Sequence, residues 1–569
     1  MADDEKVTVR GYKDIPPMTV SSGSMSVNDT GSWRNAEPVY VDHTPPCNFK
    51  CPAGNDVVGF LRLTSEGRYK DAWELIRQTS PFPGVCGRVC PHPCESECNR
   101  LYLGGTLKIH AVERFLADRN RDKNPYAVSI KYPSKKVAVI GSGPAGLSCA
   151  WQLNRAGFPV TVFEKNSRAG GMLRLGIPDF RLPKDILSGE IYDIKRAGTA
   201  IITGVGIGKD LEFSELQKQF AAIFIAVGFH KSYNLGIEGE NHADIIPGTS
   251  FLKEISSGGD PQIKKKVVVV GGGNTAVDTA RSALRLGSEV TVIYRRTREE
   301  MPAIAEETDE LLEEGIPLEF LTAPVKIHTE GENITGVECL KMKLGDPDSS
   351  GRRRPVPVEG SNFTIEADQI FTAIGETADL SFIDNNVKIE KWGVPIDEFG
   401  RTNVPGVFAG GDAATGEGTV SHAIGSGRKT ALAISAYLKD ETITEAELNP
   451  PSLQNVNPQV VTFEQLNVDY FDSQDPIVVK GSSPDNRKQN FEEIHGTISE
   501  KQALYESQRC MSCGFCPECD NCLIFCPDAA VQFNDNPGNK YLIDMKHCKG
   551  CGLCVAECPR YCIEFHPIR

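Results

Sequence analysis

Two runs that read strand, glycine turn, helix, together with a doubled cysteine run near the C-terminal end, predict a multidomain chain. The expected architecture is a helical N-terminal module carrying cysteines, an α/β pair of dinucleotide-binding domains with the second inserted in the first, and a small α+β module gathered around metal-ligating cysteines. The first run is Val137-Ala-Val-Ile-Gly141-Ser-Gly143-Pro-Ala-Gly146, an apolar strand entering a GxGxxG turn. The second, Lys266-Val-Val-Val-Val-Gly271-Gly-Gly273-Asn-Thr-Ala276, repeats it in part. The cysteines complete the case: seventeen of nineteen lie before residue 99 or after residue 509, mostly three or four residues apart.

A chain of 569 residues that is 40% hydrophobic has material for roughly three or four domains. A formal charge of -15 excludes a general nucleic-acid binder, which needs excess Lys and Arg on one face. No run approaches the ~18 apolar residues that span a bilayer. The start, Met1-Ala-Asp-Asp-Glu-Lys, lacks the basic and apolar regions of a signal peptide, so the expected location is cytoplasmic.

Residues 1–46 are rich in Ser, Pro, Gly and Asn without sustained periodicity, and read as an extended arm. Residues 47–130 turn helical, with apolar positions recurring at three-to-four spacing in 57–63, 72–76 and 109–116. This module holds Cys47, Cys51, Cys86, Cys90, Cys94 and Cys98. Soft thiolates at this spacing, with Cys51-Pro52 and Cys90-Pro91, suit one or two [4Fe-4S] clusters, with zinc as the alternative.

The first dinucleotide-binding domain is assigned to residues 131–262 and 367–445. Gly141, Ser142, Gly143, Pro144, Ala145 and Gly146 form its phosphate turn, where glycines allow close backbone approach and a helix N-terminus offers amide N–H groups. Glu164 ends the next strand, about 20 residues on, where a ribose hydroxyl needs an acceptor; Lys165 follows it, and Gly228 closes the strand that begins at Ala222. The second domain is assigned to residues 263–366, with Gly271, Gly273, Asn274, Thr275 and Ala276 at its turn. Its second strand ends in Tyr294-Arg295-Arg296 rather than in an acid. Arg295 and Arg296 suit a 2′-phosphate, so NADP(H) is preferred over NAD(H); a solvated loop edge is the bland alternative. Arg352-Arg-Arg354 reads as a solvated tip, and the strand 367–375 with 406–412 is expected to return the chain to the first domain. Residues 446–505 read as a linker over the surface.

Residues 506–569 hold Cys516-x2-Cys519-x2-Cys522-x3-Cys526-Pro527 and, 32 residues on, Cys548-x2-Cys551-x2-Cys554-x3-Cys558-Pro559. Each is the bacterial ferredoxin run, so this α+β module is ferredoxin-like and carries two [4Fe-4S] clusters. The fourth cysteine crosses over: Cys516, Cys519, Cys522 and Cys558 hold one cluster, and Cys548, Cys551, Cys554 and Cys526 the other. Cys510, Cys513 and Cys562 complete no four-ligand set by themselves and read as spare.

Several stretches carry a family resemblance: Gly87-Arg-Val-Cys-Pro-His-Pro-Cys-Glu95, the Gly141 turn, Gly170-Gly-Met-Leu173, Gly176-Ile-Pro-Asp-Phe-Arg-Leu-Pro-Lys184, Gly271-Gly-Gly-Asn-Thr-Ala-Val-Asp278, Tyr294-Arg-Arg and Ala409-Gly-Gly-Asp412. With these, residues 47 to about 440 resemble the small subunit of glutamate synthase, a module shared by the electron-input half of dihydropyrimidine dehydrogenase and by ferredoxin:NADP oxidoreductases of anaerobes. The resemblance implies FAD at the first turn and NADP(H) at the second, with nicotinamide C4 presented to flavin N5. It places Glu164 on the ribose, Gly171, Met172, Leu173 and Arg181 along the flavin, Asp412 beside Gly411 on the ribityl chain, and Thr419, Val420 and Ala423 over the ring. The family has two more cysteines just ahead of the position of Cys47, and none stands there. The resemblance then leaves one cluster on Cys51, Cys90, Cys94 and Glu113. A second, on Cys47, Cys86 and Cys98, would need a fourth ligand, for which nearby His43 is a candidate, although His43 reads more simply as a turn residue. Thioredoxin reductase shares the two-domain architecture but needs a CxxC beside the flavin, and the central domains hold only isolated Cys149 and Cys339.

The segment Gly23-Ser-Met-Ser-Val-Asn-Asp-Thr-Gly31-Ser-Trp-Arg34, followed by Pro38-Val-Tyr-Val, resembles the opening of the small ferredoxin subunit of 2-oxoacid:ferredoxin oxidoreductases. That implies a partner-docking arm and, as partners, subunits of a thiamine-diphosphate 2-oxoacid oxidoreductase. The expected protein is an FAD-dependent NAD(P)H oxidoreductase, the electron-transfer subunit of a larger redox complex, interconverting hydride and single electrons. The alternatives are a stand-alone or bifurcating ferredoxin:NADP oxidoreductase, a glutamate synthase small subunit, and a structural electron-wiring subunit with a vestigial nucleotide site.

Overall fold

The computed structural model describes residues 29–121, 128–348, 351–384, 386–416, 418–450, 453–534 and 540–568. Its centre is two parallel five-stranded sheets of matching plan. In the first, the strands run in the order Val407–Ala409, Ala222–Ile225, Val137–Ile140, Val160–Glu164, Ala200–Thr203. In the second the order is Leu318–Glu319, Glu289–Ile293, Lys266–Val270, Gln369–Thr372, Ile245–Pro247. The central strands are apolar on both faces because helices cover both sides of a parallel sheet, and Val137–Ile140 is buried at all four positions.

Gln369–Thr372 pairs with Lys266–Val270, and Ile245–Pro247 pairs beyond it, so both belong to the second unit. That unit therefore extends past the expected 263–366 on both sides, and strand 367–375 does not return to the first. An unbroken apolar strand announces burial, not which sheet it joins. The chain crosses between units through a two-stranded ribbon, Lys231–Ser232 against Glu376–Thr377. An antiparallel sheet, Thr322–Glu330, Asn333–Pro347, Arg353–Pro357 and Phe363–Glu366, stands on the second unit.

The helical module packs on the first unit. Trp151, fully buried, donates from Nε1 to the Arg77 carbonyl at 3.0 Å, and the Arg77 guanidinium lies 4.6 Å over its ring. The long helix Val420–Lys439 passes so close to Pro52 that a Cβ at Gly425 would strike the Pro52 carbonyl.

Two expectations for the connecting segments change. Residues 446–505 are not a wandering linker but a strap: Asn457–Val460 pairs with His43–Thr44, Ile477 and Ile498 enter the helical core, and His495 meets Glu310 at 2.6 Å. Its Pro- and Asn-rich composition reports the lack of helix or strand periodicity, not a lack of contacts. The described part of the arm is likewise built in, with Ala36–Tyr40 pairing antiparallel with Ile563–Pro567 of the C-terminal module. Residues 23–28 of its motif lie outside the described residues. Among the described residues no helix is long and apolar enough to cross a membrane.

Candidate functional site

Both phosphate turns begin helices without a capping side chain. Gly143 is the N-cap of Pro144–Ala156 and Gly273 that of Asn274–Arg285, and neither helix start is closed by a side-chain hydrogen bond. A Cβ at either glycine would meet no heavy atom within 4 Å. Open space above bare amides at a helix N-terminus is what a pyrophosphate requires, so the residues present fit two dinucleotides.

Glu164 at the end of the first unit's second strand is held on both oxygens. One accepts from Ser142 N at 3.1 Å and Ser142 Oγ at 2.5 Å, the other from Asn166 N at 2.8 Å and Asn166 Nδ2 at 2.6 Å. The acid thus fixes the turn's shape. Asp412 opens the short helix Asp412–Thr415 and accepts from Gly418 N at 3.1 Å.

One cavity of about 660 Å³ joins the two turns. Of the expected first-unit residues, Gly141, Ser142, Gly143, Pro144, Ala145, Glu164, Gly171, Met172, Leu173, Arg181, Gly228, Gly411, Asp412, Thr419, Val420 and Ala423 line it. From the second unit Gly271, Gly273, Asn274, Thr275, Arg295 and Arg296 do so. Gly146 and Ala276 stand behind the wall and exposed Lys165 lies outside it; a Cβ at Gly146 would strike the Gly141 carbonyl, and Ala276 is in the second unit's core. Val89 and Pro91, the residues on either side of Cys90, also form the wall.

Two arginines do other work than expected. Arg181 lines the cavity, but its guanidinium is paired with Asp278 at 2.6 Å and with Glu307, tying the first unit to the helix of the second. Arg296 is buried, donating to the Arg353 carbonyl and to Asp348, each at 2.9 Å. Arg295 is left facing the cavity, where burial and then the charges of Arg296 and Arg352 lower its pKa. Arg352, read from sequence as a solvated tip, reaches this mouth because the antiparallel sheet folds back over the strand end. His230 and Glu376 also line the wall without having been expected there. Burial, then Lys165, pulls His230 down to about 4; burial, then Asp412, pushes Glu376 up to about 7.

The N-terminal cysteines divide differently from the expected partition. Cys86 keeps company with Cys51, Cys90 and Glu113, not with Cys47 and Cys98. Burial raises Cys51 to about 11 and Cys90 to about 12, and Glu113, itself buried, to about 8. Cys94 lies beside Cys51 and Cys90, so this donor set numbers five with Glu113. Cys47 and Cys98 instead share a hydrophobic core against which Cys510 packs. His43 is structural: its ring is bonded to Val41 O at 3.0 Å and Glu564 at 2.8 Å.

In the C-terminal module the cysteines of the two runs lie among one another, with Cys522 also near Cys554. Cys522 feels the charges of Cys516, Cys558 and Cys519, and Cys554 those of Cys548, Cys526 and Cys551. Two groups not anticipated touch sulfurs of these runs: Tyr40 Oη donates to Cys522 Sγ at 3.2 Å, and Cys562 Sγ lies 3.4 Å from Cys558 Sγ. Cysteine spacing marks the two runs but carries no sign of these contacts, which arrive from the paired arm and from the turn after Pro559.

Residues 135–427 match the model of the pyridine nucleotide-disulphide oxidoreductase family. Residues 28–125 match the 4Fe-4S domain II of dihydropyrimidine dehydrogenase, and 514–559 a 4Fe-4S dicluster domain. The chain is 40% identical over 511 residues to the NADP(+)-dependent formate dehydrogenase subunit beta of Moorella thermoacetica, covering 83% of this chain and 70% of that one. It is 39% identical over 513 residues to the NADPH-Fe(3+) oxidoreductase subunit beta of Geobacter sulfurreducens, covering 83% and 76%. To the NADPH glutamate synthase small chain of Escherichia coli it is 34% identical over 425 residues, covering 69% and 89%.

Proposed function

The chain belongs to the pyridine nucleotide-disulphide oxidoreductase family, among the FAD- and NADP-dependent iron–sulfur proteins related to the glutamate synthase small chain, and we propose that it carries electrons between NADP(H) and a partner oxidoreductase. The observation that carries this reading is the shared cavity, whose wall holds both glycine turns and the two neighbours of Cys90. A bound flavin would supply the conversion between one hydride, carrying two electrons, and the single electrons that iron–sulfur clusters take. The chain's own residues supply position and selectivity. The amides after Gly143 and Gly273 hold the two pyrophosphates, Glu164 orders the first turn, and Arg181 with Asp278 keeps the two units in register. Arg295, with Arg352 close by, binds the 2′-phosphate; charge-assisted hydrogen bonds of about 1.5–3 kcal/mol would favour NADPH over NADH by roughly tenfold to a hundredfold.

The finer reading is a thiamine-diphosphate 2-oxoacid oxidoreductase as partner. It rests on the arm pairing with the C-terminal module, which makes one surface of the two segments that resemble that enzyme's small subunit, with Trp33 74% exposed on it. A second reading, a formate dehydrogenase catalytic subunit, is favoured by the identity to the Moorella protein. Anaerobic mixing of the isolated chain with NADPH and NADH tests the first step: faster flavin bleaching by NADPH is expected, and no bleaching by either overturns it. Mass spectrometry of what co-purifies with the native chain decides between the partners.

A further inference from the structure

Cys510 and Cys513 follow the helix Glu500–Gln508, which is fastened to the N-terminal module. The Glu506 carboxylate accepts from Lys108 N at 2.8 Å and Ile477 N at 3.0 Å. The wholly buried Arg509 donates to Gly105 O at 2.7 Å and Gln474 O at 2.8 Å. Beyond it, Gly514 O accepts from His43 N at 2.9 Å, bringing this turn to the segment that leads into Cys47. Asn99 Nδ2, one residue past Cys98, lies 3.6 Å from Cys513 Sγ. Four thiols from opposite ends of the chain thus converge in one buried place, near enough that Cys98, Cys510 and Cys513 all act on the ionisation of Cys47.

We propose that Cys47, Cys98, Cys510 and Cys513 are the ligands of a [4Fe-4S] cluster that joins the N-terminal module to the C-terminal one. The surroundings suit an anionic group. Nε and Nη1 of Arg100 and Nε and Nη1 of Arg560 are buried without hydrogen-bond partners, and both guanidinium groups lie beside these thiols. A single zinc fits less well. Among the described residues no three cysteine sulfurs lie within 4.8 Å of one another, whereas thiolates about 2.3 Å from one zinc stand about 3.8 Å apart. The position is also that of a bridge. Cys94, of the set beside the cavity, is near Cys47, and Arg560 is near Cys510 and Cys513 on one side and Cys519 and Cys558 on the other. The pair missing ahead of Cys47 is thereby replaced by Cys510-x2-Cys513 from 460 residues downstream.

The test is the full chain carrying Cys510→Ser and Cys513→Ser, purified anaerobically. The expected result is a loss of about four irons and four sulfides per chain, with one reduced-cluster signal gone from the electron paramagnetic resonance spectrum. Flavin content and bleaching by NADPH stay as in the parent, which separates this site from the hydride reading. Unchanged iron with an unchanged spectrum overturns the proposal. A second measurement needs no variant: during graded iron chelation of the native chain, Cys47, Cys98, Cys510 and Cys513 become alkylated together. Alkylation of Cys510 or Cys513 while the iron complement is intact overturns it equally.

Discussion

The two glycine turns share a backbone and differ in the charge set beside it. Gly141 and Gly271 both have positive φ, 104° and 151°, and at each a Cβ would strike a carbonyl at the end of the adjoining strand, that of Ala226 in the first unit and of Ala373 in the second. Each turn is tied to the end of the second strand, Gly141 N to Phe163 O at 2.8 Å and Gly271 N to Ile293 O at 3.1 Å. The end of that strand is where they part, an acid at its last residue Glu164 in the first unit and, past the strand and Tyr294, an arginine at Arg295 in the second. Backbone geometry makes both sites for a dinucleotide; one or two side chains decide which.

The largest effect should come from breaking either turn. Gly141→Ala forces a side chain into left-handed backbone and into a carbonyl, a strain of about 1–3 kcal/mol before the clash is counted. The chain should then purify without flavin absorbance. Gly271→Ala meets the same obstacle in the other unit, and should keep its flavin while losing bleaching by NADPH. Loss of flavin from both variants alike would mean the units are not separate sites.

Next in size is the charge at the strand end. Arg295→Glu should cut kcat/KM for NADPH by roughly tenfold to a hundredfold, from the loss of a charge-assisted bond of about 1.5–3 kcal/mol, and leave NADH nearly unaffected. Arg296→Gln should act mainly through stability, because its guanidinium already serves Asp348 and Arg353. Equal losses for the two nucleotides in the Arg295 variant would sink the phosphate assignment.

Both turns and the ferredoxin run were legible because their chemistry is contiguous: glycines, strand and helix within thirty residues, or four cysteines within eleven. What depends on distant pairing was not. Nothing near Gln369 says that its strand joins Lys266–Val270 rather than the first sheet. Nothing near Cys510 says that Cys47 is its neighbour, since the contact is made by Arg509 and Glu506 gripping a module 400 residues away in sequence. Arg181 shows the same limit within a motif: its place in the wall was readable, while its pairing with Asp278 required two units to be set side by side.

The smallest effect sits where the two units join. Glu376 lies on the crossover ribbon opposite Ser232 and lines the cavity. Burial, then repulsion from Asp412, raises its carboxyl from 4.5 to about 7, against a hydrogen bond from Thr249. The sign follows from which state holds the proton. Between pH 4.5 and about 7 the unfolded chain has released it and the folded chain has not, so stability falls as pH rises through that window and levels off above it. Glu376→Gln is neutral in both states and carries no such slope. Between pH 5 and 7.5 the parent's apparent Tm should therefore drop by roughly 2–4 °C relative to the variant, measured by thermal scans of flavin-loaded protein. Parallel curves would place the carboxylate in water instead. A descending difference would mark the ribbon as a stretch of the wall where an acid is kept protonated, between a unit marked by Glu164 and a unit marked by Arg295.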